Sequence, residues 1–397
     1  MAFSYFNPVR IKFDVEFTQI LRDELGGQSA LVLTSRSFAP KIEDLRKYIN
    51  ITQVILVPPN PQLAFFGDIW AQSRGASQII ALGGGSVIDA AKAVSLDIGF
   101  GEFDNLLKNG AGEGAKNIKK ANVYALPTTA GTSSELTKWA TIWESKHNKK
   151  HSLMLEHLYC QVAIYDISLM QNMPLDLSVH TALDALSHSV ESLWNKNANP
   201  ISTNNALRAM DLILEYLPLL YERLTKEAKK RVKHAKSSDM KSYFTESRNI
   251  ESSIAKSCNT KSCAEDLRFL RQRLALASIH AGLAFSNTQT ALAHAISYPL
   301  TMQFHIPHGL ACSFSLPYII ESLPKKSLAF EILKPYKKRI LRLFKQVNIS
   351  RNPRDYGLDS INIREIFHAL NARAKNSIAK PKVLEKRLLK AISQNKH

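Results

Sequence analysis

Asp184 and His188 lie four residues apart in Thr181-Ala182-Leu183-Asp184-Ala185-Leu186-Ser187-His188-Ser189, the spacing that sets two side chains on one helix face. His180 extends the same stripe by one turn. Further on, His294 stands in the apolar run Ala291 to Pro299, and His308 follows in Ile306-Pro307-His308-Gly309. One carboxylate and three imidazoles form a donor set for Fe(II), Zn(II), Co(II) or Ni(II) rather than for Mg or Ca. Each histidine alone also reads as a hydrogen-bonded core residue; it is the ensemble in otherwise apolar helices that points to a metal.

A second chemistry is written in two loops. Gly83-Gly84-Gly85-Ser86-Val87-Ile88-Asp89 follows the apolar run Ile79 to Leu82. Its glycines allow close backbone approach and positive φ, and Ser86 and Asp89 have the spacing of an N-cap and its return partner. A helix starting there would turn free N–H groups toward a diphosphate. The run is neither G-x-G-x-x-G nor a P-loop, since Ile88 fills the third glycine position and no Gly-Lys-Ser/Thr follows. Pro127 to Glu135, with Thr128, Thr129 and Thr132, packs five hydroxyls and Gly131 into nine residues after another apolar run. Two such loops at the carboxyl ends of parallel strands suit a dinucleotide.

These residues require a scaffold, and its pattern is legible. Apolar runs at Ala30–Thr34, Gln53–Val57, Gln78–Leu82, Asn122–Leu126 and Val162–Tyr165 alternate with helical stretches, which predicts a mostly parallel α/β sheet. After Pro174 the periodicity becomes helical, as in Ala182–Trp194, Ser202–Tyr216 and Leu267–Phe285. The expected domains are 1–176, α/β and dinucleotide-binding, and 177–397, all-helical, with a polar basic insertion at about 226–264. No internal repeat is present.

Gly83-Gly84-Gly85-Ser86-x-x-Asp89-x-x-Lys92, the Thr128 to Thr132 loop, Asp184-x-x-x-His188, and His294 with Pro307-His308-Gly309 together resemble the iron-containing, group III alcohol dehydrogenases. The resemblance runs from Phe6 to about Pro317. It implies an N-terminal dinucleotide-binding domain, a C-terminal all-helical domain and a metal in the cleft between them. Residue by residue, it implies Asp184, His188, His294 and His308 as metal ligands. It also implies Gly83, Gly84, Gly85, Ser86 and Asp89 at the cofactor, with Thr128, Thr129 and Thr132 close by and Lys150 as a cofactor-contacting lysine. Two departures stand out. Tyr298 occupies a position where many members carry a second histidine, and Ser133 one often filled by Gly or Ala.

The texture from Ser286 to Thr301 and from Pro307 to Ser313, with Trp139 to Trp143, resembles the phosphonoacetaldehyde reductases within that family. This implies reduction of a small aldehyde, phosphonoacetaldehyde, to 2-hydroxyethylphosphonate in phosphonate biosynthesis, with a metal, Fe(II) or Zn(II), as Lewis acid. Lactaldehyde, propanediol or short primary alcohols are the alternative substrates. Ser35, at the end of the first strand, replaces the acidic residue that would repel a 2′-phosphate, so NADPH is expected as the preferred cofactor and NADH as an accepted one. For the anionic end of the substrate, Lys138, Arg273 and His305 are the candidate cations and Ser297 and Tyr298 the neutral donors. Tyr298 and His305 are the expected catalytic residues, Tyr298 because it follows His294 by one turn.

The composition offers a competing thought: 52 Lys and Arg against 34 Asp and Glu give +18, a balance associated with nucleic acid. The excess is local, however. Residues 222–274 hold 14 basic against 7 acidic side chains and residues 324–397 hold 19 against 5, whereas the motif-bearing remainder is near neutral. With no reader motif, no nucleic-acid partner is expected, and the basic surface would at most attract anionic ligands. The N-terminus lacks a signal-peptide pattern and no apolar run is long enough to span a bilayer, so a cytoplasmic protein without membrane partners is expected. Four cysteines, Cys160, Cys258, Cys263 and Cys312, make neither a disulfide framework nor a zinc ribbon. Family resemblance implies a homodimer.

Overall fold

The computed structural model describes residues 2–110, 115, 117–144, 146, 149–234 and 261–394. The chain divides into two compact units, Phe6–Met170 and, with Met1–Tyr5, Gln171–His397. Most of the expected basic insertion, residues 235–260, lies outside the described residues; the part before it continues a helix to His234.

The first unit is built on a six-stranded sheet whose paired neighbours are all parallel. Its strands are β1 (Arg10–Phe13), β2 (Ala30–Thr34), β3 (Ile51–Leu56), β4 (Gln78–Gly83), β5 (Asn122–Pro127) and, last in sequence, β8 (Val162–Tyr165), in the order β1-β8-β5-β4-β2-β3. Both faces are covered, which is why the central strands read as unbroken apolar runs. Leu31, Leu33, Ile79, Ala81, Val123 and Ala125 join one apolar cluster with α3 (Leu63–Ser73), α4 (Gly85–Val94) and α5 (Phe100–Asn109). Ala30, Val32, Ile80, Leu82, Tyr124 and Leu126 join the other with α1 (Phe17–Leu25) and α2 (Lys41–Arg46). From β2 the chain moves outward to β3, then crosses back to β4 and on to β5, so the topological switch falls between β2 and β4. That is the position where open α/β sheets take ligands.

Two features escaped the sequence pattern. β1 is a short, half-exposed edge strand, and β6 (Trp139–Glu144) pairs with β7 (Lys149–Met154) in a separate antiparallel ribbon.

The second unit is helical: α6 (Leu175–Trp194), α7 (Pro200–His234), α8 (Lys261–Thr288), α9 (Leu292–Phe304), α10 (His308–Ser313), α11 (Leu316–Ser322), α12 (Leu328–Gln346), α13 (Ser360–His368) and α14 (Pro381–Gln394). The helices share one apolar core running from Val179 to Ile392. Among the described residues, no helix is long and apolar enough to cross a membrane.

Candidate metal centre and cofactor cradle

In the first unit, register places the two loops side by side. Gly83 pairs with Pro127 and Leu82 with Leu126, while Thr34 pairs with Leu82 from the other side. The Gly84 and Thr128 loops therefore leave adjacent strands at one level, with Ser35 at the end of the next strand. Thr128 N also donates to Gly83 O at 3.1 Å. The glycines are needed for closeness: a Cβ on Gly85 would lie 2.7 Å from Thr132 Oγ1, one on Gly84 3.2 Å from Thr129 Oγ1, and one on Gly83 2.5 Å from Val87. None of the three has the positive φ expected from sequence. Positive φ appears instead at Ser133 (φ 50°), a backbone conformation that glycine adopts without strain.

The expected capping box is also absent. Gly84 is the N-cap of α4 and no side chain caps it, so the first turn presents bare amides, the arrangement that suits a diphosphate. Ser86 Oγ accepts from Asn60 N at 3.1 Å, and Asp89 Oδ2 accepts from Thr141 N at 2.9 Å, tying α4 to β6. Lys150 faces Trp143 across the ribbon, its Nζ 4.9 Å from the ring centroid. Sequence reasoning missed Lys92 as a site residue. Fully buried, its Nζ donates to Ser134 O (2.7 Å), Thr137 O (3.3 Å) and Trp139 O, and lies 3.4 Å from Asp89 Oδ1, so it holds the hydroxyl loop to α4.

In the second unit, Asp184, His188 and Glu191 repeat along one face of α6 and all are buried. Asp184 Oδ1 is 3.8 Å from His188 Nε2, 3.4 Å from His294 Nε2 and 4.0 Å from His308 Nε2. The 3.4 Å contact is long for a hydrogen bond, and Asp184 Oδ1 and His294 Nε2 make none. Two donors held about 2.1 Å from one tetrahedral ion would be about 3.4 Å apart. The spacing, the burial and the orphaned atoms all fit a divalent cation. Burial works against the Asp184 charge, but the imidazoles, His188 foremost, hold its carboxyl well below the usual carboxylate range.

Two supports for this cluster were not read from the sequence. Glu191 Oε2 lies 2.5 Å from His294 Nδ1, while Oε1 accepts from Ala293 N (2.6 Å) and His294 N (3.3 Å). One carboxylate thus caps α9, whose N-cap Ala291 has no side chain to do so, and aims the other ring nitrogen of His294 at Asp184. Gly309 sets α10 directly on α6: a Cβ there would lie 1.8 Å from His180 O. His180 thereby contributes its carbonyl as a landing site for α10. Cys312, one turn beyond His308, joins Asp184, His294 and His308 in a set whose donor atoms all lie within 4.8 Å.

The remaining expected residues divide sharply. Tyr298 stacks on His308, with centroids 6.4 Å apart and planes 7° from parallel, and Arg373 lies 5.9 Å from the Tyr298 centroid. Ser297 is fully buried and its hydroxyl donates to His294 O at 2.9 Å. Arg273 lies over Phe269 at 4.6 Å, on α8 about 18 Å along the axis from Phe285, the residue that stacks on His188. His305, exposed and left-handed (φ 54°), terminates α9 about 16 Å along the axis from His294. Lys138 belongs to the first unit, paired with Glu156. Arg273 stands where α8 carries it, along the axis from Phe285, whereas His305 is three residues from His308, itself a member of the donor cluster.

Residues 8–167 match the sequence family described as iron-containing alcohol dehydrogenase, and residues 178–240 and 248–396 match the C-terminal domain of the Fe-containing alcohol dehydrogenase family. The chain belongs to the iron-containing alcohol dehydrogenases. It is thus an oxidoreductase of an NAD(P)-dependent, metal-dependent family of alcohol dehydrogenases and aldehyde reductases. An NADPH-dependent butanol dehydrogenase of Clostridium saccharobutylicum is 28% identical over 352 residues, covering 86% of this chain and 77% of that one. A sulfoacetaldehyde reductase of Bilophila wadsworthia is 30% identical over 256 residues, covering 63% and 53%. Among solved structures, a sulfoacetaldehyde reductase from Bifidobacterium kashiwanohense in complex with NAD+ superposes with a TM-score of 0.79 at 22% identity, covering all of both chains. At that identity the likeness speaks for the iron-containing alcohol dehydrogenase fold.

Proposed function

We propose that the protein reduces a two-carbon aldehyde carrying a tetrahedral anion, phosphonoacetaldehyde, to the corresponding alcohol, 2-hydroxyethylphosphonate, with NADPH as hydride donor. The observation that carries this reading is the succession His308, Tyr298, Arg373, which sets a phenol and then a guanidinium beside the donor cluster. A guanidinium matches the oxygens of a phosphonate or sulfonate in pairs.

Asp184, His188, His294 and His308 would hold the divalent metal, Fe(II) or Zn(II), with Glu191 fixing the His294 ring. When bound, such a metal supplies a Lewis acid that polarises the aldehyde carbonyl. Tyr298, stacked on His308, would hand a proton from its Oη to the alcohol oxygen. In the first unit the bare amides of α4 and the hydroxyls of Thr128, Thr129 and Thr132 would take the diphosphate, and Ser35 would leave room for a 2′-phosphate.

Sulfoacetaldehyde is the second reading, favoured by the two relatives that carry that name. The test is NADPH oxidation by metal-loaded protein with phosphonoacetaldehyde, sulfoacetaldehyde, lactaldehyde and butanal. A higher kcat/KM for phosphonoacetaldehyde than for the others is expected. A preference for an uncharged aldehyde would overturn the anionic reading, and a preference for the sulfonate would replace the phosphonate. We further place the protein in the cytoplasm as a homodimer, the latter testable by light scattering of the purified chain.

A further inference from the structure

The basic excess of residues 324–397 has no part in the metal centre or the cofactor cradle, and some of it converges on one concavity of the second unit. Tyr318 and Glu321 of α11, Arg387 and Lys390 of α14, and Arg351 and Asn352 just ahead of the turn Pro353–Tyr356 line an open cavity of about 270 Å³. Each helical pair is three residues apart and so shares a helix face. Among the described residues, Glu321 is the one carboxylate lining the cavity, and both of its oxygens are taken. Lys337 Nζ donates to Oε1 at 2.6 Å and Arg387 Nη1 to Oε2 at 3.0 Å, while Arg387 Nη2 donates to Glu321 O at 3.1 Å. The Arg387 guanidinium is thereby held in place. Arg351 and Lys390, both exposed, make no ion pair among the described residues. Asn352 Oδ1 accepts from Arg354 N at 3.2 Å, which leaves its amide nitrogen to donate. Burial raises the Tyr318 phenol against the pull of the Arg351 cation, so Oη keeps its proton at neutral pH. The cavity therefore carries a surplus of donors and of positive charge, with its carboxylate already committed.

We propose that this cavity binds the phosphate group of a small molecule, at a site none of whose lining residues serves the metal centre or the cofactor cradle. Three cations and one carboxylate leave the lining with two positive charges, which complements a phosphate near neutral pH. The planar guanidinium of Arg351 pairs its donors with two phosphate oxygens, and Lys390 adds a point charge. Size sets the class of ligand. The cavity falls just under the range of about 300–1,000 Å³ that encloses drug-sized ligands, so it suits free phosphate or a phosphate ester of a few carbons and not a dinucleotide.

The test is acetylation of Lys390 in the full chain, read residue by residue by mass spectrometry, with inorganic phosphate, glycerol phosphate or succinate added. Lys390 should react about tenfold more slowly once a phosphate stands at about ten times its Kd, because only about a tenth of the sites then remain open. Lys47, exposed in the first unit, should react at an unchanged rate. Arg351→Glu, a change at an exposed position, should raise the Kd read from Lys390 by at least about tenfold. The wild-type measurement needs no variant, so a misfolded Arg351→Glu leaves the proposal open to refutation. Protection by glycerol phosphate alone assigns the site to an ester, protection by inorganic phosphate alone to the free ion, and protection by both to the group they share. Succinate that protects as well as the phosphates overturns the phosphate assignment. Lys390 that responds to no added anion, or protection unaltered in Arg351→Glu, overturns the site.

Discussion

The Glu191 carboxylate spans two jobs across 103 residues of sequence, holding His294 Nδ1 at 2.5 Å through one oxygen and the amides at the start of α9 through the other. Helix capping and ring orientation are therefore one interaction. Glu191→Gln keeps the shape and an acceptor oxygen but removes the charge that favours a metal-directed Nε2. Zinc affinity, measured by competition with a chelator, should fall by about 10–100-fold while the fold is retained. Unchanged affinity would mean that Glu191 acts only as a cap.

Gly309 is the point at which α10 rests on the backbone of α6, and a carbonyl cannot move aside as a flexible side chain would. With the Cβ of Gly309→Ala 1.8 Å from His180 O, the two helices must separate and carry His308 away from Asp184. The expected cost is about 3 kcal/mol, as for a severe overpacking change. Urea unfolding and metal content of the purified variant should both drop; a variant with normal metal content would refute the account.

Ser35 is to be tested by adding the charge it lacks. Ser35→Asp places a carboxylate at the end of β2, where it would repel a 2′-phosphate and favour a ribose hydroxyl. The ratio of kcat/KM for NADPH over NADH should fall by at least about tenfold. An unaltered ratio would remove Ser35 from the cofactor site.

Glu135 yields a prediction about pH. It is buried and accepts a 2.5 Å hydrogen bond from Tyr165 Oη. Burial pushes its carboxyl above the ordinary 4.5, outweighing the Tyr165 hydrogen bond and Lys92. A folded pKa above the unfolded one gives stability that is complete below about pH 4.5 and is lost as pH rises through the folded value. Glu135→Gln keeps an acceptor without a charge to bury. Its unfolding free energy relative to wild type should therefore rise as the pH increases above about 4.5; a difference independent of pH would contradict the assignment.

Much of this was legible because the sheet is buried on both faces. Ala30–Thr34 and Val162–Tyr165 are strands in the structure as in the sequence pattern, since an unbroken apolar run needs two covered faces. Arg10–Phe13 and Lys149–Met154 carry charged and half-exposed residues, so their pairing is visible only once a partner strand is in place. The metal donors could be found by helical spacing, but Glu191 could not, because its partners lie on another helix. Its one local signal is an acid three residues after His188, on the helix face that Asp184 and His188 share. Gly309 was legible as a glycine but not as a contact, since His180 O is brought to it only by the fold. Arg273 was chosen by proximity in sequence, which on a helix translates into distance along the axis.

Lys92 has consequences beyond tying two loops together. With no surface exposed and its amine among Ser134, Thr137 and Trp139 carbonyls, it is beyond the reach of acylating reagents while the first unit stays closed. Any label that arrives there must wait for the hydroxyl loop to lift away from α4. The amine is thus a built-in clock, and its rate of acylation against that of an exposed lysine such as Lys47 reads out how often the hydroxyl loop parts from α4.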